Sequence, residues 1–157
     1  MSIAPFPHHY TVRLEDRRLV APPRSPIAVG SPPQFGGTDR VWSPEDLLVA
    51  AALECLWTTF EAYARHDKLE VESWAGTGEA VLDKGAGGPV FTSITLAVEL
   101  AVAPADAERA RKLLAKAEKN CIISRALNVP VTVTVETRPA GATTPALGVL
   151  GENDLYA

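Results

Sequence analysis

Two cysteines, Cys55 and Cys121, are the side chains of this sequence with the widest chemistry open to them. A thiol is a nucleophile only as its thiolate. Its unperturbed pKa of about 8.5 leaves it mostly protonated at neutral pH. Two thiols that meet can cycle between dithiol and disulfide, provided their Cα atoms come within about 7 Å. Two thiols that never meet are small buried hydrophobes. A secreted disulfide scaffold packs more cysteines into less chain than these two in 157 residues. Residue types alone leave the inert and the redox reading both open.

The remaining polar candidates are weaker. His8 and His9 have no further His or Cys at zinc spacing, so no metal site is expected. His66 suits the C-terminal end of a helix, where a cation meets the negative pole. Glu54 adjoins Cys55, but neighbours on a helix point about 100° apart, so it reads as an exposed residue. Ser124 reads as a cap or a backbone-bonding hydroxyl. Trp42, Trp57 and Trp74 read as core or interface, and Trp57 with Phe60 is a candidate lining for an apolar mouth. The net charge of −4 and the scatter of Arg and Lys give no basic face for nucleic acid. No apolar run reads as long enough for a membrane span, and Met1 to His9 lacks a signal-peptide pattern. A cytoplasmic protein is expected.

The elements that must position the thiols follow from periodicity. Tyr10, Val12 and Leu14 alternate with polar residues and predict a strand, with a second at Ile27–Val29. Ser43-Pro44-Glu45-Asp46 is a strong helix start: a capping hydroxyl, a proline suited to the first helical position and an acidic pair at the positive pole, with Asp46 where a capping box puts its acid, in place of the usual Glu or Gln. That helix runs through Leu47, Leu48, Ala51, Ala52, Cys55, Leu56 and Thr59 to about His66 or Asp67. Val71–Leu82 predicts a strand, residues 83–89 a hairpin loop, and Ile94, Leu96, Val98, Leu100 and Val102 a return strand. Pro104 and Asp106 open a second helix carrying Ala110, Leu113, Leu114, Ala117 and Cys121. Ser124–Leu127 adds a turn and Val129–Thr137 a last strand. The result is an α+β domain over residues 1–138, mostly antiparallel strands with two main helices. Residues 139–157 form a Pro-, Gly- and Ala-rich tail.

Two stretches carry a family resemblance. Ser43-Pro44-Glu45-Asp46-Leu47-Leu48-Val49-Ala50-Ala51-Ala52-Leu53-Glu54-Cys55 resembles the first signature of the OsmC/Ohr family, the osmotically inducible and organic hydroperoxide resistance proteins. Asn120-Cys121-Ile122-Ile123-Ser124-Arg125-Ala126-Leu127 resembles the second. Ser31 to Gly37 also resembles OsmC-like members, and the likeness covers about residues 10 to 137. It implies an intertwined α+β homodimer with two active sites at the subunit interface. It also implies a thiol peroxidase acting on organic hydroperoxides without metal, haem or other cofactor. Cys55 takes the peroxidatic role, Cys121 the resolving role and Glu45 the place of the family's acidic residue. The family's arginine maps to Arg17 or Arg18, with Arg40 as the alternative. A lipoyl-type dithiol is the implied reductant. Family members commonly have proline directly after the second cysteine, where this sequence has Ile122.

The implied chemistry explains the residue types. Burial on an apolar stripe would raise a thiol's pKa, and a guanidinium beside it would lower it. A carboxylate that fixes this guanidinium serves orientation. Glu45 and Cys55 are ten residues apart, about 15 Å along a straight helix, so either the helix bends between them or Glu45 reaches a site in a partner chain, and the second is the reading in favour of a shared site. Two other readings stay open: a noncatalytic dimeric binding protein with inert cysteines, and a cysteine-dependent acyl hydrolase or transferase. The latter lacks a plausible histidine partner.

Overall fold

The computed structural model describes residues 5–141. The chain divides into two compact units, Met1–Ala51 and Ala52–Ala157.

The first unit holds a three-stranded antiparallel sheet of β1 (Arg13–Glu15), β2 (Arg18–Val20) and β3 (Ile27–Ala28). The expected strand beginning at Tyr10 is thus a hairpin. Glu15 pairs with Arg18 across a two-residue turn in which Asp16 and Arg17 both have positive φ, 46° and 59°. Such a turn matches the right-handed twist of the strands it joins. It places Arg18 in β2 and leaves Arg17 in the turn.

α1 (Pro44–His66) begins in the first unit and continues into the second. Its start is a reciprocal cap, as expected. The Asp46 N–H donates to Ser43 Oγ at 3.0 Å, and the Ser43 N–H donates to Asp46 Oδ2 at 2.9 Å. Ser43 is buried with both groups satisfied. Contrary to the sequence expectation, α1 is long and apolar enough, by length and composition, to cross a membrane. Its C-terminal part buries Ala52, Leu56, Phe60 and Ala64 at helical spacing, the pattern of a core stripe.

The second unit is built on β4 (Ser73–Gly85), β5 (Gly88–Val102) and β6 (Val131–Pro139), in the order β4-β5-β6. β4 and β5 form a long antiparallel hairpin closed by Ala86-Gly87. β6 joins β5 in parallel, with Ile94 opposite Val131 and Val102 opposite Pro139. A parallel pair needs a crossover. It is made by α2 (Ala107–Asn120) and the short α3 (Ile122–Ala126). Ile94, Leu96, Val98, Leu100 and Val102 of β5 are all buried, as alternation predicts. With Ala110, Leu113, Leu114 and Ala117 of α2 they supply most of this unit's core. Gly76 lets α1 approach β4: a Cβ there would lie 2.9 Å from Leu53 Cδ1. Residues 142–157, most of the expected tail, lie outside the described residues.

Candidate functional site

Cys55 lies in the second unit, half-buried on α1. Cys121 is wholly buried, 0% exposed, at the junction where α2 ends and α3 begins. Its backbone (φ −63°, ψ 112°) leaves the helical region, so one residue terminates α2 and caps α3. Both cysteines are free thiols, and each perturbs the ionisation of the other, so they are neighbours. The two thiols therefore meet within this unit.

Their surroundings differ. Burial works against ionisation of Cys121. Hydrogen bonds from the Ser124 hydroxyl, from Cys55 and from the N–H groups of Ser124 and Ile123 outweigh it and hold the thiol below its ordinary pKa. Ser124 Oγ lies 3.2 Å from Cys121 Sγ and Ser124 N 3.5 Å. Burial pushes Cys55 up, and hydrogen bonding and charge repulsion from Cys121 add to this. The N–H groups of Ile123 and Ile122 pull it partly back. Among the described residues of this unit, no cation takes part at either sulfur. Within the pair the surroundings thus favour the thiolate more at Cys121 than at Cys55.

Ile122 has a direct consequence here. It supplies an N–H toward Cys55, and proline has none. Proline suits the first position of a helix, so Ile122→Pro is expected to leave α3 in place and raise the Cys55 thiol further. The pH dependence of Cys55 alkylation, followed by peptide mass spectrometry, reads the shift. An unchanged profile would remove Ile122 from the site.

The other expected site residues lie in the first unit. Glu45 is half-buried in the first turn of α1, and its Oε2 is buried with no hydrogen-bond partner among the described residues. Arg17 and Arg18 line an open cavity of about 790 Å³, together with Leu14, Leu19, Val29 and Leu47. Arg40 is exposed on the loop before α1. The structure thus joins the two cysteines, and it places Glu45 and the arginines in the other unit.

The remaining candidates resolve individually. Glu54 is exposed, as expected, and His66 ends α1. His8 stacks on Phe6 with ring centroids 4.5 Å apart. Among the described residues, no His, Cys, Asp and Glu side chains gather in a group that could hold a metal ion. Phe60 is not at a mouth: it is 0% exposed and packs with Trp57 and Trp74, centroids 6.2 and 5.4 Å away. Ser124 was missed as a partner of sulfur. Its signal was the Cys-x-x-Ser spacing, the distance from a helix cap to its third residue.

The family model described as OsmC-like protein matches residues 37–136. No curated protein matches the chain. Among solved structures, an OsmC-like protein of unknown function from Vibrio cholerae is similar over 76% of this chain and 82% of its own, at TM-score 0.69 and 20% identity. An organic hydroperoxide resistance protein from Elizabethkingia anophelis is similar over 85% of this chain and 100% of its own, at TM-score 0.69 and 21% identity. The organic hydroperoxide resistance protein OhrB of Bacillus subtilis is similar over 85% and 98%, at TM-score 0.58 and 24% identity. These likenesses establish the α+β fold.

Proposed function

Because this chain belongs to the OsmC-like protein family, we propose that it is a thiol-dependent peroxidase that reduces organic hydroperoxides through Cys55 and Cys121. The observation that carries this reading is that the two thiols lie close enough to perturb each other's ionisation. A disulfide between them requires their Cα atoms to come within about 7 Å.

In the proposed reaction the Cys55 thiolate attacks the distal oxygen of the hydroperoxide. The O–O bond breaks, the alkoxide takes a proton and leaves as alcohol, and Cys55 becomes a sulfenic acid. Cys121 attacks that sulfur as thiolate, the S–O bond breaks, the departing hydroxide takes a proton from solvent to become water, and the disulfide closes. This halts oxidation before the irreversible sulfinic and sulfonic stages. A dithiol of lipoyl type reopens the bond by exchange. A cytoplasmic setting would keep the resting pair reduced.

Cys55 must ionise for the first step, and its own unit raises it. We assign the missing cation to Arg17 or Arg18, with Arg40 as the alternative, in this chain or a second copy. The orphaned Glu45 Oε2 supports this, since burying an unpaired carboxylate oxygen is costly and a guanidinium would satisfy it. Ten residues separate Glu45 from Cys55, about 15 Å along the axis of a straight helix. A homodimer in which one chain's Glu45 and Arg serve the other chain's cysteines accommodates that spacing.

The raised Cys55 thiol favours a second reading, a noncatalytic binding protein on the same fold. Titration with cumene hydroperoxide decides between them. One equivalent should consume both thiols and leave an intrachain Cys55–Cys121 bond in the peptide mass spectrum. Thiols that survive the titration would reject the peroxidase.

A further inference from the structure

A closed disulfide has two sulfurs that an incoming thiol can attack, and the two here are not equivalent. Cys55 is half-buried on α1, whereas Cys121 is 0% exposed. Cys121 Sγ also faces the Ser124 hydroxyl at 3.2 Å and the Ser124 N–H at 3.5 Å. Ser124 is held by α3, the helix that Cys121 caps. Opening a disulfide puts the electron pair of the broken bond on the leaving sulfur, and the sulfur better able to carry that charge leaves faster. Donors already aimed at that atom need no reorganisation when the charge arrives.

We propose that the reducing thiol enters at Cys55 and expels Cys121, with Ser124 as the positioning residue that receives the departing charge. This rests on the reading above only in requiring a Cys55–Cys121 disulfide. One thiolate of the dithiol attacks Cys55 Sγ. The Cys55–Cys121 bond breaks, a mixed disulfide forms between Cys55 and the reductant, and Cys121 leaves as thiolate. The reductant's second thiol loses its proton to solvent and attacks the reductant's own sulfur in the mixed disulfide. The reductant closes to a disulfide, and Cys55 leaves as thiolate and takes one proton. The protein gains two electrons, the dithiol loses two, and the charge that leaves on Cys121 arrives beside Ser124. The opposed directions of the two thiols, Cys121 lowered and Cys55 raised, point the same way.

The test starts from the full chain oxidised with diamide, which closes a disulfide between neighbouring thiols without any peroxide. The oxidised protein is exposed briefly to 2-mercaptoethanol, quenched in acid, alkylated with iodoacetamide and mapped by peptide mass spectrometry. The expected result is the mercaptoethanol adduct on Cys55 and the alkyl group on Cys121. Ser124→Ala should slow the exchange by about tenfold, the lower end of what a hydrogen bond to a charged group contributes. It should also spread the adduct over both cysteines, and Ser124→Thr should restore rate and position. An adduct on Cys121 in the parent, an unchanged rate in Ser124→Ala, or a diamide treatment that closes no bond would each overturn the assignment. If diamide closes the bond and cumene hydroperoxide does not, the peroxidase reading falls, and the adduct position still decides the order of exchange.

Discussion

Cys55→Ser is expected to abolish peroxide-driven turnover, while Cys121→Ser is expected to allow a single oxidation per chain and then stop. A serine hydroxyl cannot form the sulfenic acid on which the cycle depends. In Cys121→Ser the first step remains and the second is lost, so a sulfenic acid should accumulate on Cys55, trapped by dimedone and seen by mass spectrometry. Removing Cys121 also removes the group that repels charge on Cys55. Oxidation of the remaining thiol should therefore begin at lower pH than in the parent. Peroxide consumption by Cys55→Ser at the parent's rate would reject the role given to Cys55. Turnover by Cys121→Ser would reject the disulfide.

Phe60→Ala is expected to destabilise the protein by about 3–5 kcal/mol, through lost burial and the cavity left behind. Phe60 is completely enclosed, and its ring packs against Trp57 and Trp74. These two rings approach each other to 4.8 Å between centroids, so collapse around a missing Phe60 must move one indole against the other. Against a typical total of about 5–15 kcal/mol, this loss is a large share of the stability. Urea denaturation followed by tryptophan fluorescence measures it. A change under about 1 kcal/mol would mean the aromatic cluster relaxes freely. Thiol oxidation in surviving folded protein should stay near that of the parent, because Phe60 is a core residue.

What the sequence made legible was local. Ser43 and Asp46 stand three residues apart on either side of Pro44, and that spacing alone implied the reciprocal cap found in the structure. The alternation of Ile94 to Val102 marked one face of β5 because the strand's inner side is uniformly apolar. The turn at Asp16-Arg17 was not legible, since neither residue is the Gly or Asn that usually signals positive φ in a hairpin. Phe60 was read as a mouth residue although Leu56, Phe60 and Ala64 repeat every fourth residue, the spacing of a buried stripe. The direction of β6 was hidden as well. Alternation identifies a strand but does not say which way its neighbour runs. The pairing of Cys55 with Cys121 is non-local, and it came from two recognisable signatures rather than from periodicity. The asymmetry between the two thiols came from neither, because it depends on the burial of Cys55 and on the Ser124 hydroxyl that reaches Cys121.

The parallel register of β5 and β6 has a mechanical outcome for the thiol pair. The segment bearing Cys121 is moored at both ends, by β5 before it and by β6 after it, each strand hydrogen-bonded to the other. In the proposed cycle, a sulfur on such a moored span is kept near its partner when the bond opens. Its partner would then see it at a high local concentration, and each reclosure would be a unimolecular event.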